Sequence, residues 1–166
     1  MSDAFQDRVD IGLTVNGEPV EARVPAGQHL IDFLRLGLGL TGAHAGCEHG
    51  LCGACTIYVD GESVRGCLML AAQSDGADVW TVEGLSELGS IRDLQEAFVA
   101  RNALQCGFCT PGMLVAADEL LRGDRIPSRR EIRAHLSGNY CRCTGYEAIV
   151  DAVEEVARTR AEKGAA

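Results

Sequence analysis

Residues Gly46 to Cys67 read GCEHGLCGACTIYVDGESVRGC. This stretch carries four of the chain's eight cysteines, at Cys47, Cys52, Cys55 and Cys67. Four and then two residues separate the first three thiols, and eleven residues lie between the third and the fourth. Thiols spaced so closely in one loop indicate that the loop binds a metal group.

The spacing C-x4-C-x2-C is typical of plant-type 2Fe-2S sites. The residues between the thiols support that interpretation, because Gly46, Gly50, Gly53 and Ala54 allow the backbone to curl tightly, and glycine reaches positive φ at little steric cost. Successive N–H groups in such turns form a concave nest that suits an anionic cluster, and hydrogen bonds to its sulfurs raise the reduction potential. The loop is therefore predicted to bind and tune an electron carrier.

The residues around this loop predict an α+β unit. Val9 to Val15 alternates apolar with small or polar residues, and Asn16-Gly17 is a strong hairpin signal. The apolar residues of His29 to Leu36 lie mostly on one helical face, which predicts a short helix packed on a sheet. Further strands are expected at Pro19 to Val24, Thr56 to Val59, Ser63 to Arg65 and Val79 to Val82. These elements predict a plant-type ferredoxin-like (β-grasp) domain over residues 1–83.

The pattern becomes helical after Glu83 to Gly89, which we interpret as a connection between two domains. Thr110 is an expected N-cap with proline at the first helical position, and Ser128 and Thr144 are each followed three residues later by glutamate, as in a capping box. The predicted helices span Ser90 to Ala103, Thr110 to Leu121, Ser128 to Leu136 and Thr144 to about Thr159. Residues 84–166 are therefore predicted to form an all-α four-helix bundle.

The other four cysteines form two pairs, Cys106 with Cys109 before the second of these helices and Cys141 with Cys143 before the fourth. A helix N-terminus favours thiolate, because its free N–H groups and its dipole stabilise negative charge. The two pairs brought together would supply four ligands. Four thiolates also suit tetrahedral zinc, so a structural zinc site is the alternative. Zinc is the weaker interpretation for the whole chain, because a close triple followed by a fourth cysteine is not the paired knuckle of zinc ribbons.

Length, charge and composition limit the possible functions. A chain of 166 residues favours two small domains, each stabilised by a metal site. The net charge of -9 and the lack of a basic stripe argue against nucleic acid and anionic membranes as partners. No apolar run approaches the ~20 residues of a membrane-spanning helix. Membrane insertion is therefore not expected.

The cysteines also indicate a compartment. The start MSDAFQDRVDIG has neither the basic nor the apolar region of a Sec-type signal, so a cytoplasmic location is expected. Cysteine-rich patterns in the reducing cytosol usually bind metal, which argues against a disulfide scaffold. No nucleophile with its base emerges from the sequence, so the chain is not expected to be catalytic alone.

Three motifs, CEHGLCGACTIYVDG with a later cysteine, QCGFCTPGM and NYCRCTGY, resemble the small iron-sulfur subunit of the molybdenum hydroxylases. That family includes xanthine dehydrogenases, aldehyde oxidoreductases, aerobic carbon monoxide dehydrogenases and bacterial N-heterocycle hydroxylases. The resemblance covers roughly Val9 to Val156. It implies one 2Fe-2S cluster in each domain, with Cys67 as the fourth ligand of the first cluster. The implied ligands are Cys47, Cys52, Cys55 and Cys67 for the first and Cys106, Cys109, Cys141 and Cys143 for the second.

The resemblance further implies a larger enzyme, commonly a dimer of three-subunit units. A large subunit would hold the molybdenum-pterin cofactor (molybdopterin), and a medium subunit would hold FAD. Electrons would pass from molybdenum to the second cluster, then to the first, then to FAD. Gln105 and Cys143 match family positions that approach the pterin, and Phe108 would shield a cluster or pack in the core. The substrate, an N-heterocycle, an aldehyde or carbon monoxide, stays open.

Some residues keep a second interpretation. His29, His44, His49 and His135 are expected to be surface, loop or core histidines rather than ligands. A basic group of arginines could meet a partner subunit, although a solvated helix face is the simpler interpretation; its members are Arg122, Arg125, Arg129, Arg130 and Arg133. A free two-cluster carrier or redox sensor is the alternative to an obligate subunit, and purification with or without two larger chains separates them.

Overall fold

One mixed sheet of five strands underlies the first half of the chain. The computed structural model describes residues 7–123 and 125–164. The strands are β1 (Arg8–Val15), β2 (Glu18–Pro25), β3 (Thr56–Val59), β4 (Glu62–Arg65) and β5 (Asp78–Trp80). Their order is β2-β1-β5-β3-β4, in which only the pairing of β1 with β5 is parallel. The predicted strands are confirmed, except that β5 ends at Trp80 rather than Val82.

A short helix packs on this sheet and carries the thiol loop. Helix α1 (Leu30–Asp32) continues as a π-helical turn over Phe33–Gly37, as the apolar face of the sequence predicts. Leu30, Ile31 and Leu34 are fully buried against the sheet. The backbone N–H of Leu30 donates to Met69 O at 2.7 Å, and that of Ile31 donates to Gly66 O at 3.1 Å. These bonds fix the helix to the segment that contains Cys67.

The second half is helical, and its first helix was not expected from the sequence. The helices are α2 (Val82–Glu87), α3 (Arg92–Ala100), α4 (Thr110–Leu120), α5 (Arg129–Leu136) and α6 (Glu147–Gly164). Helix α2 occupies the stretch predicted as a connection, because Val82 and Leu85 are buried in the core that the helices form. Ser90 does not cap α3, since its hydroxyl donates to Leu85 O at 3.1 Å.

The predicted helix caps have mixed outcomes. The capping box of α5 is confirmed, because Ser128 N donates to Glu131 Oε2 at 2.8 Å and Glu131 N donates to Ser128 Oγ at 3.3 Å. Hydrogen bonds from Ser128 lower the pKa of the Glu131 carboxyl to about 2. The capping box predicted for Thr144 and Glu147 at α6 is wrong. The Thr144 hydroxyl accepts from Tyr146 N, and the Glu147 carboxylate binds Arg133 and Arg129 instead.

Helix limits differ from the prediction at several ends. Helix α3 runs from Arg92 to Ala100 rather than from Ser90 to Ala103. Helix α4 already includes Thr110, which was expected as its N-cap, and its N-cap is Cys109. Helix α6 continues past Thr159 to Gly164, and residues 165–166 lie outside the described part of the chain.

Helix α4 joins the helices to the sheet. It packs against β3, while α3 packs on α6 and α5 lies between α4 and α6. The Tyr58 hydroxyl of β3 lies 3.0 Å from both Val115 O and Asp118 Oδ2 of this helix, and the Arg122 guanidinium stacks 3.8 Å above the tyrosine ring. The two cysteine-bearing halves therefore share a buried interface. Among the described residues, no helix is both long and apolar enough to cross a membrane.

Candidate metal centres

The first thiol group consists of three cysteines in the loop between α1 and β3 and of Cys67, which follows β4. Glu48, Gly50 and Gly53 all adopt positive φ, which turns the backbone around the cysteines as predicted from the glycines. Cys52 N donates to Cys47 Sγ at 3.3 Å, and this bond is the largest cause that lowers the pKa of the Cys47 thiol, to about 6. The loop therefore stabilises a thiolate by pointing a backbone N–H at it.

Cys55 and Cys67 form the inner side of this group, and both are buried. Burial is the largest cause that raises the pKa of the Cys55 thiol, to about 11, and a hydrogen bond shared with the adjacent Cys67 thiol contributes to that rise. Gly46 leaves room on the outer side, since a Cβ there would lie 3.0 Å from Cys52 Sγ. The thiols thus form two neighbouring pairs, Cys47 with Cys52 and Cys55 with Cys67.

The second thiol group joins the residues before α4 to those before α6. Cys143 Sγ lies 3.6 Å from Cys106 Sγ, and both residues are exposed. Cys109 and Cys141 are half-buried, pack against the helical core and share a side-chain hydrogen bond. This group therefore also consists of two pairs, although each pair combines one cysteine from each loop.

The expectation that helix N-termini favour thiolate holds for one inner thiol of this group and fails for the other. Burial raises the pKa of Cys109 to about 12, and the adjacent Cys141 thiol adds to the shift. Burial also acts on Cys141, but hydrogen bonds from the Thr144 hydroxyl and N–H outweigh it and lower that pKa. Two thiols so close together oppose each other's ionisation, and a bound cation would offset that repulsion.

Two further candidate site residues, Gln105 and His49, contact the backbone of cysteines. Gln105 is exposed and its Nε2 donates to Cys143 O at 3.1 Å, so these two residues lie side by side. His49 is exposed and its Nδ1 lies against Cys47 O. Within the described residues, no group of three or more His, Cys, Asp or Glu side chains is arranged to hold a single metal ion.

The basic group is largely paired with acids on its own surface. Arg129 bridges to Glu147, Asp151 and Glu154 of α6 at 3.0, 2.6 and 2.8 Å. Arg125 contacts Glu131 at 2.6 Å and Arg133 contacts Glu147 at 2.8 Å. These ion pairs support the interpretation as a solvated helix face rather than a contact with a partner.

A buried joint that the sequence analysis missed holds the two thiol groups together. Tyr140 N, one residue before Cys141, donates to Cys52 O at 2.8 Å. Asn139 is 2% exposed, and its Nδ2 donates to Gly53 O at 3.0 Å. Arg65 donates to Gly138 O at 2.9 Å and to Asn139 Oδ1 at 3.2 Å.

The joint brings backbone against backbone at Gly53 and Gly112. A Cβ at Gly112 would lie 2.3 Å from Gly53 O, so only glycine fits at the start of α4. A glycine inside a helical pattern was the one sequence signal for this contact.

Comparison with known proteins assigns each half of the chain to a protein family. Residues 13–84 match the family described as a 2Fe-2S iron-sulfur cluster binding domain, and residues 81–154 match a second family, described as a 2Fe-2S binding domain. The chain is 52% identical over 152 residues to caffeine dehydrogenase subunit gamma of Pseudomonas sp. (strain CBB1), which covers 90% of this chain and 91% of that one. It is 54% identical over 147 residues to the nicotine 6-hydroxylase small subunit of Paenarthrobacter nicotinovorans, covering 89% and 88% of the two chains.

Among solved structures, a chain of quinoline 2-oxidoreductase from Pseudomonas putida 86 superimposes with a TM-score of 0.88 at 48% identity. That alignment covers 95% of this chain and 97% of the other.

Two 2Fe-2S-binding domains in series define an iron-sulfur protein with a role in electron transfer. The chain belongs to the small iron-sulfur subunits of the molybdenum hydroxylases, because it is aligned with such subunits over nearly its whole length at about half identity. The resemblance carried by the three cysteine motifs is thereby confirmed, and the chain is a subunit of a molybdenum-containing oxidoreductase.

Proposed function

We propose that this chain relays electrons from a molybdenum-pterin centre on a large subunit, through two 2Fe-2S clusters of its own, to FAD on a medium subunit. When bound, each cluster accepts and returns one electron at a time, so two clusters carry the two electrons of a substrate oxidation singly. Cys47, Cys52, Cys55 and Cys67 would hold the first cluster. Cys106, Cys109, Cys141 and Cys143 would hold the second.

The thiol geometry suits that group. Two thiolates on one tetrahedral metal ion, each at about 2.3 Å, lie about 3.8 Å apart. The Sγ atoms of Cys106 and Cys143 are 3.6 Å apart, which fits one such pair, and each of the other cysteines also adjoins a partner thiol. A 2Fe-2S cluster has two irons, and each needs one pair. The N–H groups of Cys52 and Thr144 aimed at Cys47 and Cys141 stabilise the negative charge that the ligands bring.

The observation that carries the proposal is the hydrogen bond from Tyr140 N to Cys52 O, 2.8 Å long. It connects a ligand of the first group to the peptide next to Cys141, a ligand of the second group. The joint around the buried Asn139 and Gly53 ties the two loops in that position. A relay needs its centres close together, and this joint supports that requirement.

The outer ends suit the proposed partners. Cys106 and Cys143 are exposed, and the Gln105 carboxamide beside them can present an oxygen and a second N–H to a ligand. We propose this end, through Gln105 and Cys143, for the pterin of the large subunit. The first group opens outward at Glu48, His49 and Leu51, all exposed, and we propose this end for the FAD subunit.

The finer architecture belongs to the same proposal. We divide the chain into a ferredoxin-like domain at 1–83 and a helical domain at 84–166, the latter built on the four-helix bundle of α3 to α6. Relatives named as the gamma or small subunit of their enzymes support larger partner subunits, with which we propose a dimer of heterotrimers. The compared proteins are named for caffeine, nicotine and quinoline, so we propose an N-heterocycle as the substrate of the complex. Cysteines used as ligands rather than disulfides suit the cytoplasm.

The test is electron paramagnetic resonance of the dithionite-reduced native complex, with iron, molybdenum and zinc measured on the same sample. We expect two distinct 2Fe-2S signals, about four iron atoms per chain and stoichiometric molybdenum. Matched variants assign the signals, because Cys55→Ala should remove one of them and Cys109→Ala the other. Zinc without iron would overturn the proposal in favour of a structural site. Two clusters without molybdenum or larger subunits would favour a free carrier.

A further inference from the structure

His44 contacts both cysteine loops through different atoms. Its backbone N–H donates to Ala54 O at 3.1 Å, and that carbonyl belongs to the peptide that precedes Cys55. Its ring Nδ1 lies 2.9 Å from Phe108 O, and that carbonyl belongs to the peptide that precedes Cys109. Because a carbonyl only accepts, Nδ1 carries the proton in this contact. One residue thus ties the peptide of a ligand in the first group to the peptide of a ligand in the second.

The His44 ring also holds the Phe108 side chain. The two rings stack with centroids 4.6 Å apart and planes inclined by 14°. Phe108 remains 47% exposed, so burial alone does not fix its position. Gly46 limits it on another side, because a Cβ there would lie 3.4 Å from Phe108 Cε1 and 3.0 Å from Cys52 Sγ. Phe108 is therefore held between the His44 ring and the backbone beside the first thiol group.

This contact is separate from the buried joint. The joint binds the Cys52 carbonyl to the peptide next to Cys141, whereas His44 binds the peptides next to Cys55 and Cys109. The hydrogen bonds of the joint hold the loop that carries Cys141, whereas the His44 ring holds the other loop of the second group, which carries Cys109. Two connections through different ligands of each group also fix their relative orientation.

We propose that His44 is a positioning residue for electron transfer, which fixes the orientation of the second thiol group relative to the first through its Nδ1–H bond to Phe108. The inference rests on the proposed function, since it assumes a cluster in each group. The exchange it supports needs no other reactant, because one cluster would be oxidised by losing the same electron that reduces the other.

The test compares three variants in the native complex. His44→Ala removes the donor and the ring, His44→Phe keeps a ring without a donor, and His44→Asn keeps a donor near the position of Nδ1. The readout is the magnetic splitting between the two clusters in the fully reduced state, which depends on their distance and orientation, together with the rate of electron exchange between them. His135→Ala is the control, because His135 lies on α5 and pairs with Glu119 at 3.3 Å, outside both loops.

Loss of the hydrogen bond lowers the preference for the native arrangement about fivefold. We therefore expect a weakened or broadened splitting and slower exchange in His44→Ala and His44→Phe, and recovery of most of both in His44→Asn. Unchanged splitting in His44→Ala at full iron content would overturn the inference. If that variant loads no iron, the other two decide, and wild-type splitting in His44→Phe would overturn it. Absence of two signals in the wild type would instead refute the proposed function.

Discussion

Replacing Gly112 by alanine tests whether the contact between α4 and the first thiol loop holds the two halves in place. The added Cβ would lie 2.3 Å from Gly53 O, a backbone atom that cannot rotate away. An ordinary contact needs more than 3.4 Å, so α4 and the loop must separate by about 1 Å. Gly53 O accepts from Asn139 Nδ2 at 3.0 Å, and the same movement would stretch that bond beyond its useful range.

The expected free-energy change combines opposing effects. Alanine is a better helix former than glycine by about 1 kcal/mol. Overpacking of a well-packed site costs about 1–3 kcal/mol, and a lost hydrogen bond costs about 1 kcal/mol more. We therefore expect Gly112→Ala to destabilise the folded chain by about 1–3 kcal/mol. Since α4 begins directly after Cys109, we also expect a changed magnetic splitting between the clusters.

The assay is the thermal unfolding of the holo chain at a fixed scan rate, followed by electron paramagnetic resonance of the reduced protein. Gly123→Ala is the matched control, because a Cβ at Gly123 meets nothing within 4 Å. The control should leave Tm unchanged or raise it slightly. A Gly112→Ala protein as stable as this control, with unaltered splitting, would refute the interpretation of the contact.

Three further variants test other parts of the site. Tyr58→Phe should cost about 1 kcal/mol at neutral pH, because it removes the hydroxyl from Asp118 and Val115. Burial raises the pKa of the Tyr58 hydroxyl above its ordinary 10.0, so the unfolded chain loses this proton first as pH rises. The wild type should therefore lose about 1.4 kcal/mol of stability per pH unit above pH 10, and the variant should not. Parallel curves of stability against pH for the two proteins would contradict this expectation. Asn139→Ala should lower stability by about 2–4 kcal/mol in the same unfolding assay, since it removes two buried hydrogen bonds and one that is half-buried. Gln105→Leu should slow electron transfer from molybdenum to iron in stopped-flow reduction by substrate without changing iron content, and an unchanged rate would mean that Gln105 only supports Cys143 O.

Most of the sheet and the beginning of α5 could be predicted from the sequence, because those features depend on residues close together in the chain. Asn16-Gly17 forms the turn between β1 and β2, with positive φ at both residues. Ser128 and Glu131 form their capping box from side chains three residues apart. The closely spaced cysteines likewise lie outside the strands and helices, in loops, as their motifs predict. Each of these inferences needs only residues that are neighbours in the chain.

The joint could not be predicted in the same way, because its members are distant in sequence. Asn139 is 86 residues from Gly53, and nothing near either residue indicates the other. Helix α2 was missed for a related reason, since Val82 and Leu85 become helical by packing on the core of α4 rather than through periodicity of their own. Thr144 fits a capping-box pattern, but its hydroxyl contacts Cys141 Sγ at 3.2 Å, and the thiol group decides its position instead.

The exposure of the thiols gives the proposed relay a direction. In the second group, Cys109 and Cys141 pack against the helical core and adjoin the residues that contact the first group, whereas Cys106 and Cys143 are exposed. Each proposed iron of this cluster would thus have its own side, one facing the joint and one facing a partner. An electron that enters beside Gln105 would have to cross the cluster to reach the joint. In the proposed relay, entry beside Gln105 and exit at the joint would lie at different thiol pairs, because each pair combines one cysteine from each loop.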